Sequence, residues 1–281
     1  MEIKHRISIN SRQTDFMSAI IELNIDHEAI ELPGGRSKLI TFVISESDPR
    51  WESVVSLIKL YKDYEIYGPG DQLETVFSDE EVMGAEWLRL KSTFEQGYPQ
   101  PKSKWPIKQL SYDIICPKCC IYRQTKNMRF GKEPSLGRKS FMTMIWANEI
   151  FCTTEVILAL DAIGVKGYEI WDAVIHKTGR SLERVHQIFI PGIASPGMII
   201  EDNLERKICP ICGTTKYYPH EKGIMCLKRE SLLSGIDFMM TYEWFGFGIL
   251  AWREILVSNR VARLIIDNGW KGVRLKVVEL V

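Results

Sequence analysis

The chain has 281 residues, 45% hydrophobic and 26% charged, enough for one large domain or two ordinary ones with a sizeable core. Its 36 basic and 36 acidic side chains cancel, which argues against a non-specific nucleic-acid or membrane role, because those roles need a basic excess. The start, Met1 to Arg6, runs into Ser8 and Asn10 without the apolar stretch of a signal peptide, and no run reaches the ~18 apolar residues of a membrane span. A cytoplasmic protein is expected. In that compartment seven cysteines point to metal binding or burial rather than to a disulfide framework.

In chain order, residues 1–98 read as a small α/β region. Glu2 to Ile9 alternates as a strand does. Ser11 is placed to cap a helix whose apolar set is Phe16, Ile20, Ile21 and Leu23. Two β-rich runs, Ala29 to Leu32 and Leu39 to Ile44, flank the turn signal Pro33-Gly34-Gly35. Asp48-Pro49 opens a second helix carrying Trp51, Val54, Val55, Ile58 and Leu60, and Gly68-Pro69-Gly70 closes that unit. Thr75 to Phe77, a short acidic-ended helix from Ser78, and Ala85 to Leu90 follow. Residues 98–110, with Pro99, Pro101 and Trp105-Pro106, read as a linker or crossing segment.

Residues 99–281 form the second expected domain, and it holds two similar runs, about 151–174 and 256–280. Gly164-Val165-Lys166-Gly167 of the first matches Gly269-Trp270-Lys271-Gly272 of the second, an offset of 105 from Gly164 to Gly269. In each, a short strand ends at a capping residue (Thr153/Thr154 or Ser258/Asn259) and a three-turn amphipathic helix follows. A left-handed glycine then ends the helix, and a second glycine turns the chain into the next strand, expected at Tyr168 to Val174 and Val273 to Leu280. The expected architecture is therefore α+β: a small N-terminal α/β region, then a duplicated strand–helix–strand unit.

The motifs with chemistry are Cys116-Pro117-Lys118-Cys119 and Cys209-Pro210-Ile211-Cys212. A two-residue spacer lets both thiolates of a tight turn reach one ion, and the proline pre-sets that turn. Together they supply four sulfur ligands, enough to close a tetrahedral structural Zn2+ site and organise the duplicated unit as a split zinc ribbon. The competing reading is a redox-active disulfide pair. Gly213 follows the second knuckle; Cys120 stands at the matching place in the first, as a spare thiol or an alternative ligand. Cys152 and Cys226 lie in apolar strand-like contexts that suit core packing, whereas His220 and His176 fall at expected solvated hairpin turns.

No nucleophile elbow, phosphate loop, dinucleotide fingerprint or His-Glu-x-x-His zinc motif is present, so no catalytic residue is assigned and a non-enzyme is expected. Tyr242-Glu243-Trp244-Phe245-Gly246-Phe247-Gly248 reads as a core-facing segment or a binding platform. The stretch 123–139 carries Arg123, Lys126, Arg129, Lys132, Arg138 and Lys139 against Glu133 alone, and offers a nucleic-acid surface as the alternative function.

The two knuckles, with the tail Val257-Ser258-x-x-Val261 through Asn268-Gly269-Trp270-Lys271-Gly272, resemble bacterial double-CxxCG-motif proteins over about residues 111–281. The first knuckle departs from that pattern at Cys120. The resemblance implies a cytosolic immunity protein of a polymorphic or contact-dependent toxin system, with the cysteines as scaffold and a bacterial toxin as the protein partner.

Overall fold

Alternation makes the first strand. In β1 (Glu2–Asn10), His5, Ile7 and Ile9 are buried. The computed structural model describes residues 1–10, 14–32, 38–61, 70–102, 110–200 and 204–281. The expected Ser11 cap, the Pro33-Gly34-Gly35 turn, Gly68-Pro69 and Trp105-Pro106 lie outside these residues.

Contacts divide the chain into two units. The first comprises Met1–Ser78 with Glu221–Gly223. After β1 come α1 (Thr14–Glu22), β2 (His27–Glu31), β3 (Lys38–Ser45), α2 (Trp51–Tyr61) and β4 (Gly70–Val76). The four strands form an antiparallel sheet in the order β2-β3-β1-β4, with Ile7 opposite Phe42. Phe16 and Ile20 of α1 and Val54 of α2 close its core with Ile7, Ile9, Ile40, Phe42 and Ile44. Ile21 and Leu60, which the helical pattern grouped with those faces, are exposed. His5 stacks on Trp51 with 4.2 Å between ring centroids, and its Nε2 lies 3.0 Å from Glu46.

The second unit holds Asp79–His220 and Ile224–Val281. It opens with α3 (Asp79–Gly84), β5 (Trp87–Ser92), the hairpin β6 (Tyr112–Cys116) and β7 (Ile121–Gln124), then β8 (Met128–Phe130), β9 (Phe141–Met142) and β10 (Ile150–Thr153). Next come α4 (Thr154–Ala162), β11 (Glu169–Trp171), β12 (Ala173–Ile175), β13 (Val185–Phe189) and β14 (Met198–Ile199). It finishes with the hairpin β15 (Arg206–Ile208) and β16 (Thr215–Tyr217), then β17 (Met225–Leu227), β18 (Phe238–Met240), β19 (Trp244–Phe245), β20 (Ile255–Ser258), α5 (Asn259–Asp267) and β21 (Val273–Leu280). The architecture is mixed α+β, as expected, and strands far outnumber helices. Among the described residues no helix is long and apolar enough to cross a membrane.

The sequence drew a boundary at 98, but the chain changes unit after Ser78. Trp87–Ser92 then lies inside the largest sheet, ordered β14-β17-β21-β5-β20-β18. Both β20 and β21 run antiparallel to β5, with Leu90 opposite Ile255 and Leu275. The smaller sheet β11-β13-β10-β9 repeats this plan: β10 and β11 run antiparallel to β13, with Ile188 opposite Ile150 and Ile170. The offset is 105 from Ile150 to Ile255 and again from Ile170 to Leu275, and it is 98 from Leu90 to Ile188. Parallel pairs repeat as well: Ala173 faces Met128, and Val278 faces Met225. The expected strand Tyr168 to Val174 is divided at Asp172, where the chain leaves β13 and takes β8 as its partner.

The two G-x-K-G turns are joined to the opposite half by reciprocal backbone bonds. The Lys166 carbonyl accepts from the amides of Asp237 and Phe238 at 2.8 and 3.1 Å; the Lys271 carbonyl accepts from Ser140 and Phe141 at 2.9 and 3.1 Å. Gly164 and Gly269 end their helices at φ +66° and +61°, and Gly167 and Gly272 follow at +96° and +99°. A Cβ on Gly167 would stand 2.4 Å from the Phe238 carbonyl oxygen, and one on Gly272 would stand 2.1 Å from that of Phe141. The expected helix caps differ from expectation. Thr153 and Ser258 occupy the N-cap positions with extended backbones, but neither hydroxyl caps its helix. The Ser258 Oγ is drawn instead to Asp237 Oδ1 at 2.6 Å.

A paired substitution separates conformational strain from collision. Gly269→Ala meets nothing within 4 Å and should lose about 1 kcal/mol, the penalty of a left-handed alanine. Gly272→Ala meets a backbone carbonyl in addition and should lose about 3 kcal/mol or more in urea unfolding. Equal losses would show that the turn yields freely.

Candidate metal centre

Each knuckle sits at the tip of a β-hairpin, so its two cysteines are carried by a turn whose ends are fixed by strand pairing: β6 with β7, and β15 with β16. The Cys209 amide donates to the Thr214 carbonyl and the Gly213 amide to the Cys209 carbonyl, both at 2.9 Å, which closes the second turn tightly. The two tips meet. Cys116 Sγ lies 3.8 Å from Cys209 Sγ, Cys119 Sγ lies 3.6 Å from Cys212 Sγ, and all four sulfurs lie within 4.8 Å of one another.

These distances discriminate between the two readings. A disulfide needs about 2.05 Å, so the four thiols are not bridged. A tetrahedron with metal–sulfur bonds of about 2.3 Å has sulfur–sulfur edges of about 3.8 Å, and the observed spacings fit it. Cys116, Cys119, Cys209 and Cys212 are thus brought together as the sequence predicts, and they could hold a metal ion. Four sulfur donors would complete a tetrahedron and leave no position for water.

The local electrostatics are uneven. The amides of Cys212 and then Ile211 point at Cys209 and lower its thiol. The hydroxyl of Thr214, 3.3 Å from Cys212 Sγ, and then the Thr214 amide hold Cys212 down to about 6. Burial pushes Cys119 up to about 12. Cys212 is exposed whereas Cys119 is buried, so water and amides favour one thiolate, and a divalent ion is what would ionise the other. Ile121 and Ala251, both buried, and the partly buried Trp244 pack around the sulfurs.

Cys120 stands apart from the sulfur cluster. Its Sγ lies 3.6 Å from the Pro117 carbonyl, and its backbone takes φ +58° where Gly213 takes +71°. It therefore keeps the glycine conformation of the second knuckle with a side chain attached. Cys152 is fully buried, as expected, and Cys226 is half-buried. Both histidines correct expectation. His220 is buried rather than solvated, and His176 is half-buried, its Nδ1 accepting from Arg129 Nε at 3.1 Å. Neither joins the sulfur cluster.

Lys216 escaped the sequence reading. It is 6% exposed, and its Nζ donates to the carbonyls of Cys119, Gly248 and Leu250 at 3.0, 2.8 and 2.9 Å. It binds the first knuckle to the 248–250 turn and places a positive charge beside the thiolates. Nothing in the sequence separates this buried lysine from a surface one. The 242–248 segment divides its aromatics: Phe245 is core, Trp244 packs under the sulfurs, and Tyr242 and Phe247 are exposed. The basic stretch is also divided. Arg129 turns to His176, and Lys139 lies over the Phe94 ring at 4.3 Å, while Arg123, Lys132 and Arg138 are exposed.

Two outcomes follow for purified protein. Elemental analysis should find one metal per chain, lost in Cys209→Ser and retained in Cys120→Ser; loss in both would make Cys120 a ligand. Lys216→Met should leave three carbonyls short of a donor, lower unfolding free energy by about 3 kcal/mol, and weaken metal retention about tenfold against a chelator.

In comparison with known proteins, the chain matches no family model and no curated protein, so the reading of this centre rests on its own geometry.

Proposed function

We propose that the chain is a non-enzymatic, zinc-holding protein that binds a protein partner, and that it acts as a cytoplasmic immunity protein neutralising a bacterial toxin. The supporting observation is the sulfur geometry, which suits a closed structural ion. The surface beside it suits a partner. Ile208 and Ile211 of the second knuckle are 66% and 69% exposed, and Ile114 and Ile115 precede Cys116 at 42% and 59%. Exposed branched apolar side chains on loops tied by one ion form a rigid patch of the kind that anchors protein interfaces.

On this reading the second unit is a duplication built around a split zinc ribbon. Support comes from the repeated registers, the reciprocal Lys166 and Lys271 bonds and the paired left-handed glycines. The offset between halves is 98 at Leu90/Ile188, falls to 93 at Cys116/Cys209, then grows to 97 at Phe141/Phe238 and 105 at Ile150/Ile255. The second copy thus carries four extra residues before β17 and eight more between β18 and β20. The latter insertion contains the Tyr242–Gly248 aromatics. Each copy gives its first strand, β5 or β13, to the sheet of the other.

The test is co-expression with the product of the reading frame adjacent to this gene. Restored growth and a stoichiometric complex on gel filtration support the reading, and Ile208→Asp with Ile211→Asp should weaken that complex about tenfold or more while the metal stays bound. If no neighbouring product is toxic, and nucleic acid binds at about 50 mM salt and is released by Arg129→Ala with Lys132→Ala, the nucleic-acid alternative replaces it.

A further inference from the structure

Glu149, half-buried as a residue, turns a carboxylate oxygen into the interior of the second unit. The repeated registers identify its counterpart. An offset of 105 carries Glu149 to Glu254, next to the paired strand starts Ile150 and Ile255. Glu254 is 6% exposed and has a cation: Arg89 Nη1, from β5, lies 4.0 Å from its Oε2, and Trp252 Nε1 donates to its Oε1 at 3.0 Å. The offset of 98 that relates β5 to β13 carries Arg89 to Gln187, and both side chains are buried at matching register, Arg89 opposite Leu256 and Gln187 opposite Phe151. The amide of Gln187 is engaged elsewhere, exchanging two hydrogen bonds with Gln124 at 2.6 and 2.8 Å. Glu149 Oε2 is left buried with no hydrogen-bond partner, and burial raises its carboxyl. The neighbouring Tyr112 hydroxyl, buried as well, faces that carboxyl and, after burial, is the group that bears most on it.

A cavity of about 320 Å³ opens at this position, lined by Glu149, Gln187, Tyr122, Phe189, Trp244 and Trp252. Its walls are mainly aromatic and aliphatic, with Arg123, Gln124, Asn148 and Arg253 among the polar groups. The Arg253 guanidinium lies over the Trp244 ring at 4.6 Å, and its Nη1 donates to the Thr241 and Tyr242 carbonyls. A largely apolar cleft with a carboxylate on its wall is complementary to a flat apolar body bearing a cation, which would pair with Glu149 and gain from the ring faces. In the other half that cationic place is filled by Arg89 of the chain itself.

We propose that this cavity binds a small organic cation, an amine or amidine on a flat apolar body, with the charged nitrogen on Glu149. The site shares Ile115 with the protein-binding patch, but its test reads binding of a small cation and does not depend on that patch. The probe is benzamidine, titrated into the metal-loaded full chain by calorimetry, with benzamide as its neutral isostere. Benzamidine should bind at least about tenfold tighter than benzamide, Glu149→Gln should weaken it about tenfold or more, and Gln187→Arg, supplying in cis the guanidinium seen at Arg89, should abolish it. Should Gln187→Arg fail to fold, Glu149→Gln decides alone, since it keeps the shape of the side chain. Equal binding of benzamidine and benzamide, benzamidine affinity unchanged in Glu149→Gln, or no heat at about 5 mM benzamidine overturns the proposal.

Discussion

The insertion of β5 between β20 and β21, and of β13 between β10 and β11, is the constraint on which the second unit depends. Each inserted strand bonds on both sides, so withdrawing it would break two ladders at once and expose Leu88 and Leu90, or Val185 and Ile188, all buried. Each such side chain contributes about 2 kcal/mol by burial, before any backbone hydrogen bond is counted. Because β5 comes near the start of the unit and β21 at its end, this sheet forms only when nearly the whole unit is in place. The sulfur cluster is a consequence. The hairpins that carry the knuckles are brought together by sheets that have cores of their own around Phe151 and Leu256. This differs from a small zinc finger, where metal substitutes for a missing core. Here the ion would fix two turn tips against each other on a framework held by apolar packing.

How much of this was legible follows from the range of each signal. The knuckles were legible because spacing and residue type determine their chemistry locally. The G-x-K-G turns were legible because a left-handed helix end and a close backbone approach both demand glycine: a Cβ on Gly167 or Gly272 would stand 2.4 or 2.1 Å from a carbonyl oxygen. The position of β5 was not. Trp87–Ser92 reads as an ordinary short strand, and its partners lie some 165 to 191 residues later, where no local pattern points. Its assignment to the N-terminal region followed sequence proximity, which fails when strands are exchanged. The Phe141-Met142 and Phe238-Met239 pairs occupy matching strand positions opposite Phe151 and Leu256, but two residues are too few to stand out without the register. Lys216 and Glu149 were hidden for another reason: burial of a charged residue depends on the groups that surround it in space.

Comparing the halves separates what the framework requires from what each half has changed. Gly167 and Gly272, with the lysine carbonyls beside them, serve the exchange of backbone bonds and leave no room for a Cβ. Positions that differ carry individual features. Gln187 stands at the register place that Arg89 holds in the larger sheet, and Glu149 Oε2 is without a hydrogen-bond partner beside a cavity, whereas Glu254 has Arg89. A buried carboxylate with no partner costs several kcal/mol as a charge, so raising its protonation is the relief the fold itself supplies. Trp244 and Trp252, from the segment before β20, line that same cavity with Gln187.

The knuckles differ in the same way, and the difference bears on recognition. Cys119 is buried and its carbonyl is held by Lys216, whereas Cys212 is exposed between Ile211 and Gly213. The first knuckle is thus anchored to the core and the second faces water. A loop that presents Ile208 and Ile211 to solvent would ordinarily lose conformational entropy on binding, about 1 kcal/mol or more for each residue fixed. Shared sulfur ligation would remove that freedom beforehand by tying the exposed turn to the anchored one. An ion with no chemical vacancy can therefore still bear on function, by pre-ordering the apolar side chains that a partner would cover.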